Sequence, residues 1–129
     1  MNIEHVAIYV NNLEIEKEFF VKYFGATASE KYTNFRNDFS SYFLVLDNDT
    51  RLEIMHRQSM IDPKKAKYRS GYHHIAISVG DKNDVNNLTR QMEDDGIVII
   101  KEPRATGDGY YASVVADPEG NEIEILAME

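Results

Sequence analysis

An internal repeat is the strongest constraint that this sequence places on its fold. Residues 5–10 read His-Val-Ala-Ile-Tyr-Val and residues 74–79 read His-Ile-Ala-Ile-Ser-Val, with four of the six positions identical. A second pair recurs later, as Leu-Glu-Ile-Met at 52–55 and Ile-Glu-Ile-Leu at 123–126. The Glu follows the His by 48 residues in the first half (5 to 53) and by 50 in the second (74 to 124). Two matches at nearly the same offset indicate two copies of one structural unit.

The segments between these anchors also correspond. Each copy begins with a strand-like segment that is rich in β-branched and apolar residues. Apolar residues then recur at helical spacing, over 13–24 in the first copy and at Val85, Leu88 and Met92 in the second. Each helical segment is followed by a helix-ending Gly, at positions 25 and 96.

Three strand-like segments follow each helix, which gives each copy the pattern βαβββ. They lie at about 26–33, 39–47 and 51–57, and at about 97–101, 109–117 and 121–127. The predicted fold class is therefore α+β. We expect a single domain over 1–129, made of module 1 (1–58), a linker (59–70) and module 2 (71–129).

Composition narrows the classes of function. The 129 residues include 14 basic and 22 acidic side chains, for a net charge of −8, and no Cys. Because polyanion binding needs concentrated Lys and Arg, we expect no nucleic-acid partner. The longest apolar runs, such as 6–10 and 42–46, are far shorter than the roughly 20 residues that span a bilayer, so no membrane partner is expected. A start without signal-peptide character and the absence of Cys favour a cytoplasmic protein.

Strand alternation predicts that four polar side chains share the face turned away from the helices. In each first strand the fully aliphatic face should pack on the helix, which leaves the anchor His on the other face. In each closing strand the residues flanking the anchor Glu are aliphatic and take the helix side. The four polar residues are His5, Glu53, His74 and Glu124. Taken singly, each would be interpreted as a rim residue, but their repetition at matched positions favours a shared role.

A divalent transition metal ion would give these four residues that role. Burying an unpaired carboxylate costs several kcal/mol. Two Glu neutralise a divalent ion and two neutral imidazoles complete four ligands. This donor set suits Zn, Ni, Co, Mn or Fe(II), whereas Ca and Mg prefer oxygen ligands. His56 and His73 fall on the opposite parity and are interpreted as structural or exposed.

Four motifs together resemble the vicinal oxygen chelate superfamily, which includes glyoxalase I, epimerases, fosfomycin-modifying enzymes, extradiol dioxygenases and bleomycin-binding proteins. They are Ile-Glu-His-Val-Ala-Ile (3–8), Phe-Phe-Val-Lys-Tyr-Phe-Gly (19–25), Gly-Tyr-His-His-Ile-Ala (71–76) and Asp-Pro-Glu-Gly-Asn-Glu-Ile-Glu (117–124). The resemblance implies that the modules pair into an open, curved mixed β-barrel with the helices outside. It also implies a homodimer. The four ligands then meet within one chain or across the dimer, and the sequence leaves both open.

Within this superfamily, the set His5, Glu53, His74 and Glu124 looks most like that of bacterial glyoxalase I, the lactoylglutathione lyase. The resemblance implies a lyase or isomerase that converts a 2-oxoaldehyde–thiol hemithioacetal through a metal-stabilised enediolate, with Glu124 as the catalytic base. The alternatives are another enzyme of the superfamily, such as an epimerase, or a protein that binds an antibiotic-type ligand. Bleomycin-binding members typically lack the metal ligands.

The substrate side of the site is less defined. A dedicated glutathione site should offer Arg or Lys to the two carboxylates of that thiol. The candidates for substrate binding are Arg36, Arg51, Arg104 and Tyr111. Arg51 shares a strand face with Glu53, so it is alternatively interpreted as a structural counter-charge.

Overall fold

Two mixed sheets, each covered on one face by a helix, make up the structure. The computed structural model describes the whole chain apart from the side chain of Asn48. It divides the chain into two units, Met1–Lys64 and Lys65–Glu129, whose boundary falls inside the predicted linker. The predicted α+β class is confirmed. Module 2 has the predicted βαβββ pattern, and module 1 has one additional short strand.

Module 1 contains a five-stranded sheet in the order β1-β5-β4-β2, with β3 also paired to β4. Strand β1 runs parallel to β5 and the other pairs are antiparallel. The elements are β1 (His5–Tyr9), α1 (Leu13–Phe24), β2 (Thr27–Ala28), β3 (Tyr32–Asn34), β4 (Phe39–Val45), a 3-10 helix (Asp47–Asp49) and β5 (Arg51–Arg57).

Module 2 contains a four-stranded sheet in the order β6-β9-β8-β7. Strand β6 runs parallel to β9, as β1 does to β5 in module 1. The elements are β6 (His74–Gly80), α2 (Lys82–Asp94), β7 (Ile99–Ala105), β8 (Tyr110–Ala116) and β9 (Glu122–Met128). Among the described residues, neither helix is long and apolar enough to cross a membrane.

Each helix packs on the aliphatic face of its own sheet. Helix α1 lies on β4 and β5, where Phe20, Leu44 and Ile54 are buried. Helix α2 lies on β7, β8 and β9, where its apolar residues bury Ile123 and Ile125. Burial of side chains of this size contributes roughly 1.5–3 kcal/mol each, so the packing determines which face of each closing strand turns inward.

Polar contacts fix the helix ends. The Asn12 side chain accepts from the Ile15 amide at 3.1 Å, and Gly25 ends α1 in the left-handed region at φ 64°. Asp81 and Asp84 form a reciprocal capping box at the start of α2. The predicted helix-ending role of Gly25 is therefore confirmed.

Helix α1 is also tied to β4 by hydrogen bonds between Tyr42 and Glu14. The Tyr42 hydroxyl donates to the Glu14 carboxylate at 2.9 and 3.0 Å, and Lys17 contacts the same carboxylate at 3.2 Å. Burial of the Tyr42 hydroxyl raises its pKa, and the neighbouring Glu14 carboxylate raises it further. Burial works to raise the pKa of Glu14, but the hydrogen bonds from Tyr42 and Lys17 lower it overall.

Two predicted strands differ from the structure. The segment predicted at 26–33 is split into β2 and β3 because the Ser29 hydroxyl, rather than a backbone carbonyl, accepts from the Phe43 amide at 2.9 Å. Strand β7 continues through Pro103 to Ala105, beyond the predicted end at 101. It lies at the edge of its sheet, where the missing proline N–H is tolerated, and its register with β8 shifts between Lys101 and Arg104.

Candidate functional site

The module 1 half of the candidate site is a pair formed by His5 and Glu53. Strands β1 and β5 are neighbours, and Ala7 stands opposite Glu53 in their parallel register. His5 Nε2 lies 3.7 Å from Glu53 Oε1. Glu53 is directed away from α1 because Leu52 and Ile54, its neighbours in the chain, are buried on the helix side. The predicted sharing of one face by His5 and Glu53 is observed.

Phe43 and Glu4 complete the surroundings of this pair. Phe43 stands opposite Glu53 in the β4–β5 register, and its ring meets the His5 imidazole edge to face at 5.3 Å between centroids. The Arg51 guanidinium lies 4.0 Å from the Phe43 ring centroid and donates to Glu4 Oε1 at 2.9 Å. Glu4 Oε1 also lies 3.2 Å from His5 Nδ1. Arg51 therefore forms an ion pair with Glu4 in this structure.

The module 2 half of the candidate site is the pair His74 and Glu124. Strands β6 and β9 are neighbours, with Ala76 opposite Glu124, in the same relation as Ala7 and Glu53 in module 1. His74 Nε2 lies 3.0 Å from Glu124 Oε2. Ile123 and Ile125 are buried on the helix side, so the Glu124 carboxylate emerges on the opposite face. The same physical cause places the carboxylate in both modules.

A second His–Glu pair stands beside the first in module 2. His73 Nδ1 lies 2.8 Å from His74 Nδ1, and His73 Nε2 lies 3.1 Å from Glu122 Oε2. Strand parity separates His73 from His74, but β6 begins at His74, so alternation does not apply to residue 73. The signal available in the sequence was the spacing of Glu122 and Glu124, which puts two carboxylates on one strand face.

The remaining candidates for substrate binding occupy three different positions. Arg36 is exposed in the turn between β3 and β4. Arg104 stands opposite Ala112, on the Glu124 face of its sheet, and donates to the Ala112 carbonyl at 2.7 Å. The Tyr111 hydroxyl donates to Asn86 on α2 at 2.7 Å. Tyr111 is therefore on the helix face of the sheet, opposite to the face of Glu124.

His56 occupies a structural position. Its Nδ1 lies 2.9 Å from the Val10 carbonyl, and the ring is part-buried. This contact links the end of β5 to the residue that follows β1. The interpretation of His56 as a structural residue agrees with that contact.

The donor chemistry of the two pairs fits a transition metal ion, but each pair supplies only two donors. Each of the pairs His5–Glu53 and His74–Glu124 offers one imidazole and one carboxylate. Mixed nitrogen and oxygen ligands are typical of such ions, which need three or four protein ligands. Among the described side chains, no three His, Cys, Asp or Glu residues are arranged so that they could hold a metal ion by themselves.

Comparison with known proteins identifies the family. The family model described as the Glyoxalase/Bleomycin resistance protein/Dioxygenase superfamily matches residues 2–125. The chain belongs to this superfamily. The resemblance inferred from the sequence motifs is thereby confirmed. A Bacillus subtilis protein named "Uncharacterized protein YqjT" is 25% identical over 134 residues, which span 97% of this chain and 98% of that protein.

Solved structures of superfamily members have the same fold. The trypanothione-dependent glyoxalase I of Leishmania major matches with a TM-score of 0.80 and 26% identity, over 98% of this chain and 86% of that one. A glyoxylase/bleomycin resistance protein/dioxygenase domain from Frankia sp. EAN1pec matches with a TM-score of 0.85 and 14% identity, over 100% of this chain and 93% of that one. The second likeness shows the fold alone.

The geometry around His5 predicts a measurable role for Phe43. Substitution Phe43→Leu should remove the ring-current displacement of the His5 ring-proton signals in NMR spectra. It should also lower the free energy of unfolding by about 0.5–1.5 kcal/mol, because edge-to-face and cation–π contacts are lost. Phe39→Leu is the matched control, since Phe39 contacts Tyr32 and Arg57 on the same sheet. Unchanged His5 signals in Phe43→Leu would contradict the described packing.

Proposed function

We propose that this protein is a metal-dependent lyase or isomerase of the glyoxalase type, acting in the cytoplasm as a homodimer. Its substrate is proposed to be the hemithioacetal of a 2-oxoaldehyde and a thiol. The observation that supports this most strongly is the matched pair of His–Glu contacts, at 3.7 Å in module 1 and 3.0 Å in module 2. The likeness at 26% identity to a glyoxalase I adds to it.

The proposed metal ligands are His5, Glu53, His74 and Glu124, which together would hold one divalent ion such as Ni, Co, Zn, Mn or Fe. Two carboxylates and two imidazoles match the charge and the ligand preference of such ions. A bound ion supplies positive charge that offsets negative charge developing on the substrate oxygens. The neighbouring Glu4 and Phe43 in module 1, and His73 in module 2, restrict the orientations of the two imidazoles.

In this proposal Glu124 moves the proton. Its carboxylate takes the proton from the hemithioacetal carbon, and the C–H electron pair becomes part of a carbon–carbon double bond. The proton then returns to the adjacent carbon, and the hydroxyl proton of the first carbon passes to the oxygen of the second. The product is the thioester of a 2-hydroxy acid, formed without oxidant or reductant. Oε2 of Glu124 contacts His74 at 3.0 Å, so Oε1 is the oxygen that we assign to proton transfer.

The metal-binding part of the proposal is testable without any substrate. Protein purified without added metal should contain about one divalent transition metal ion per chain or bind one on addition of Co²⁺ or Zn²⁺. Glu53→Ala and His74→Ala should each lower the affinity for the metal ion by about tenfold to a hundredfold or more, because each removes a direct ligand. The measurement is elemental analysis together with a Co²⁺ absorption titration.

Control variants remove the same chemical groups elsewhere. Glu102→Ala removes an exposed carboxylate on β7, and His56→Gln removes the structural imidazole. Both should bind metal as the wild type does. Wild-type affinity in Glu53→Ala or His74→Ala would mean that the ligand assignment is wrong.

The proposed catalytic role of Glu124 is tested by measuring kcat. Metal-loaded wild-type protein should convert methylglyoxal–thiol adducts, with glutathione and other low-molecular-weight thiols tested in parallel. Glu124→Gln should lower kcat by roughly 10²–10⁴-fold, the usual range for loss of a general base. Its metal content is measured alongside, because Glu124 is also a proposed ligand. Glu102→Gln should leave kcat unchanged.

Two outcomes would contradict the catalytic proposal at different levels. Wild-type protein that holds metal but leaves every adduct unchanged would exclude the lyase activity and favour the ligand-binding alternative. Full kcat in metal-loaded Glu124→Gln would retain the activity and exclude Glu124 as the base.

A further inference from the structure

A cleft of about 270 Å³ in module 2 brings several basic side chains together. It lies between the segment that precedes β6 and the turn between β8 and β9. In a chain of net charge −8, such a concentration of positive charge is a local exception. The lining residues that matter here are Lys65, Lys67, Arg69, His73, Gly120 and Glu122.

The three cationic side chains are held mainly by neutral groups. Lys65 Nζ donates to the Glu119 carbonyl at 2.9 Å. Arg69 donates to the carbonyls of Ala66 at 3.0 Å and Tyr72 at 3.3 Å. Lys67 Nζ lies 5.2 Å from the centroid of the Tyr68 ring. These contacts restrict the orientation of the three side chains but leave their positive charges in place. Lys and Arg also have further N–H groups that can donate to a ligand.

The one carboxylate among the lining residues is already engaged. Glu122 Oε2 contacts His73 Nε2 at 3.1 Å, so the acid in this cleft faces an imidazole. An incoming anion therefore meets three cations and a His–Glu pair instead of an unpaired carboxylate.

One wall of the cleft is a rigid turn. The Asp117 carboxylate accepts from the amides of Glu119 and Asn121 and from the Asn121 side chain, all at 2.8–2.9 Å. Asp117 is buried, with 4% of its surface exposed. This turn fixes the Glu119 carbonyl that binds Lys65, so one cation of the cleft is positioned by the part-buried hydrogen bonds of Asp117.

We propose that this cleft binds a small oxyanion, namely a phosphate or carboxylate group. The planar Arg69 guanidinium matches both groups, and the two Lys ammonium groups add point charges beside it. The volume accommodates such a group or the anionic end of a larger molecule. The cleft adjoins the proposed metal ligand His74 through His73. None of its three cations is a proposed metal ligand, so binding does not require a metal ion or catalytic turnover.

NMR titration of the 129-residue chain tests this inference. Inorganic phosphate should cause saturable shifts of the amide signals of Lys67, Arg69, Tyr72 and Gly120 at constant ionic strength set with chloride. A parallel titration with acetate compares a carboxylate with a phosphate. The anion that binds more tightly identifies the preferred group. Saturable binding of either anion supports the site. Concentrations up to about 20 mM would nearly fill a site with a millimolar Kd.

Two Lys→Gln variants make the test specific. Lys67→Gln should weaken the binding by about threefold to tenfold, the loss expected for one partly exposed charge-assisted contact. Lys82→Gln is the matched control, because Lys82 Nζ also lies over a tyrosine ring, at 5.6 Å from the centroid of Tyr111, outside the cleft. Its affinity should equal that of the wild type.

Either of two results would overturn the proposal. The first is the absence of saturable shifts with both anions in the wild-type chain. The second is equal affinity in Lys67→Gln and the wild type. Neither result bears on metal content or on conversion of hemithioacetals, so a failure here is distinguishable from a failure of the proposed function.

Discussion

Burial of aliphatic side chains against α1 and α2 is the constraint on which the candidate site depends. Leu52 and Ile54 in β5, and Ile123 and Ile125 in β9, are almost fully buried on the helix side. Because successive strand residues point to opposite faces, this burial directs the residue between each aliphatic pair to the other face. A one-residue slip of either closing strand would exchange an isoleucine for a carboxylate in the core, at a cost of several kcal/mol.

The two modules repeat the same geometry with different surroundings. In module 1 the His5–Glu53 contact is longer, and Glu4, Arg51 and Phe43 restrict the imidazole and its surroundings. In module 2 the His74–Glu124 contact is shorter, and a second imidazole stands beside the first.

Periodicity was sufficient to predict α1 to the residue and to assign Glu53 and Glu124 to their faces, since both depend on local alternation of apolar and polar residues. It could not assign His73, because that residue precedes the first ladder position of β6. It also left the face of Tyr111 open. Parity grouped Tyr111 with Ser113 and Val115, but only the hydrogen bonds of Ser113 to Thr89 and of Tyr111 to Asn86 show that this face meets α2.

We propose that His and Glu ligands from both modules bind one metal ion. X-ray absorption spectroscopy of protein loaded with one equivalent of Zn²⁺ measures this directly, because scattering from imidazole rings reports how many histidines bind the metal. We expect two imidazole nitrogens and carboxylate oxygens at about 2.0–2.2 Å. A spectrum with a single imidazole, or with oxygen ligands alone, would contradict the four-residue site.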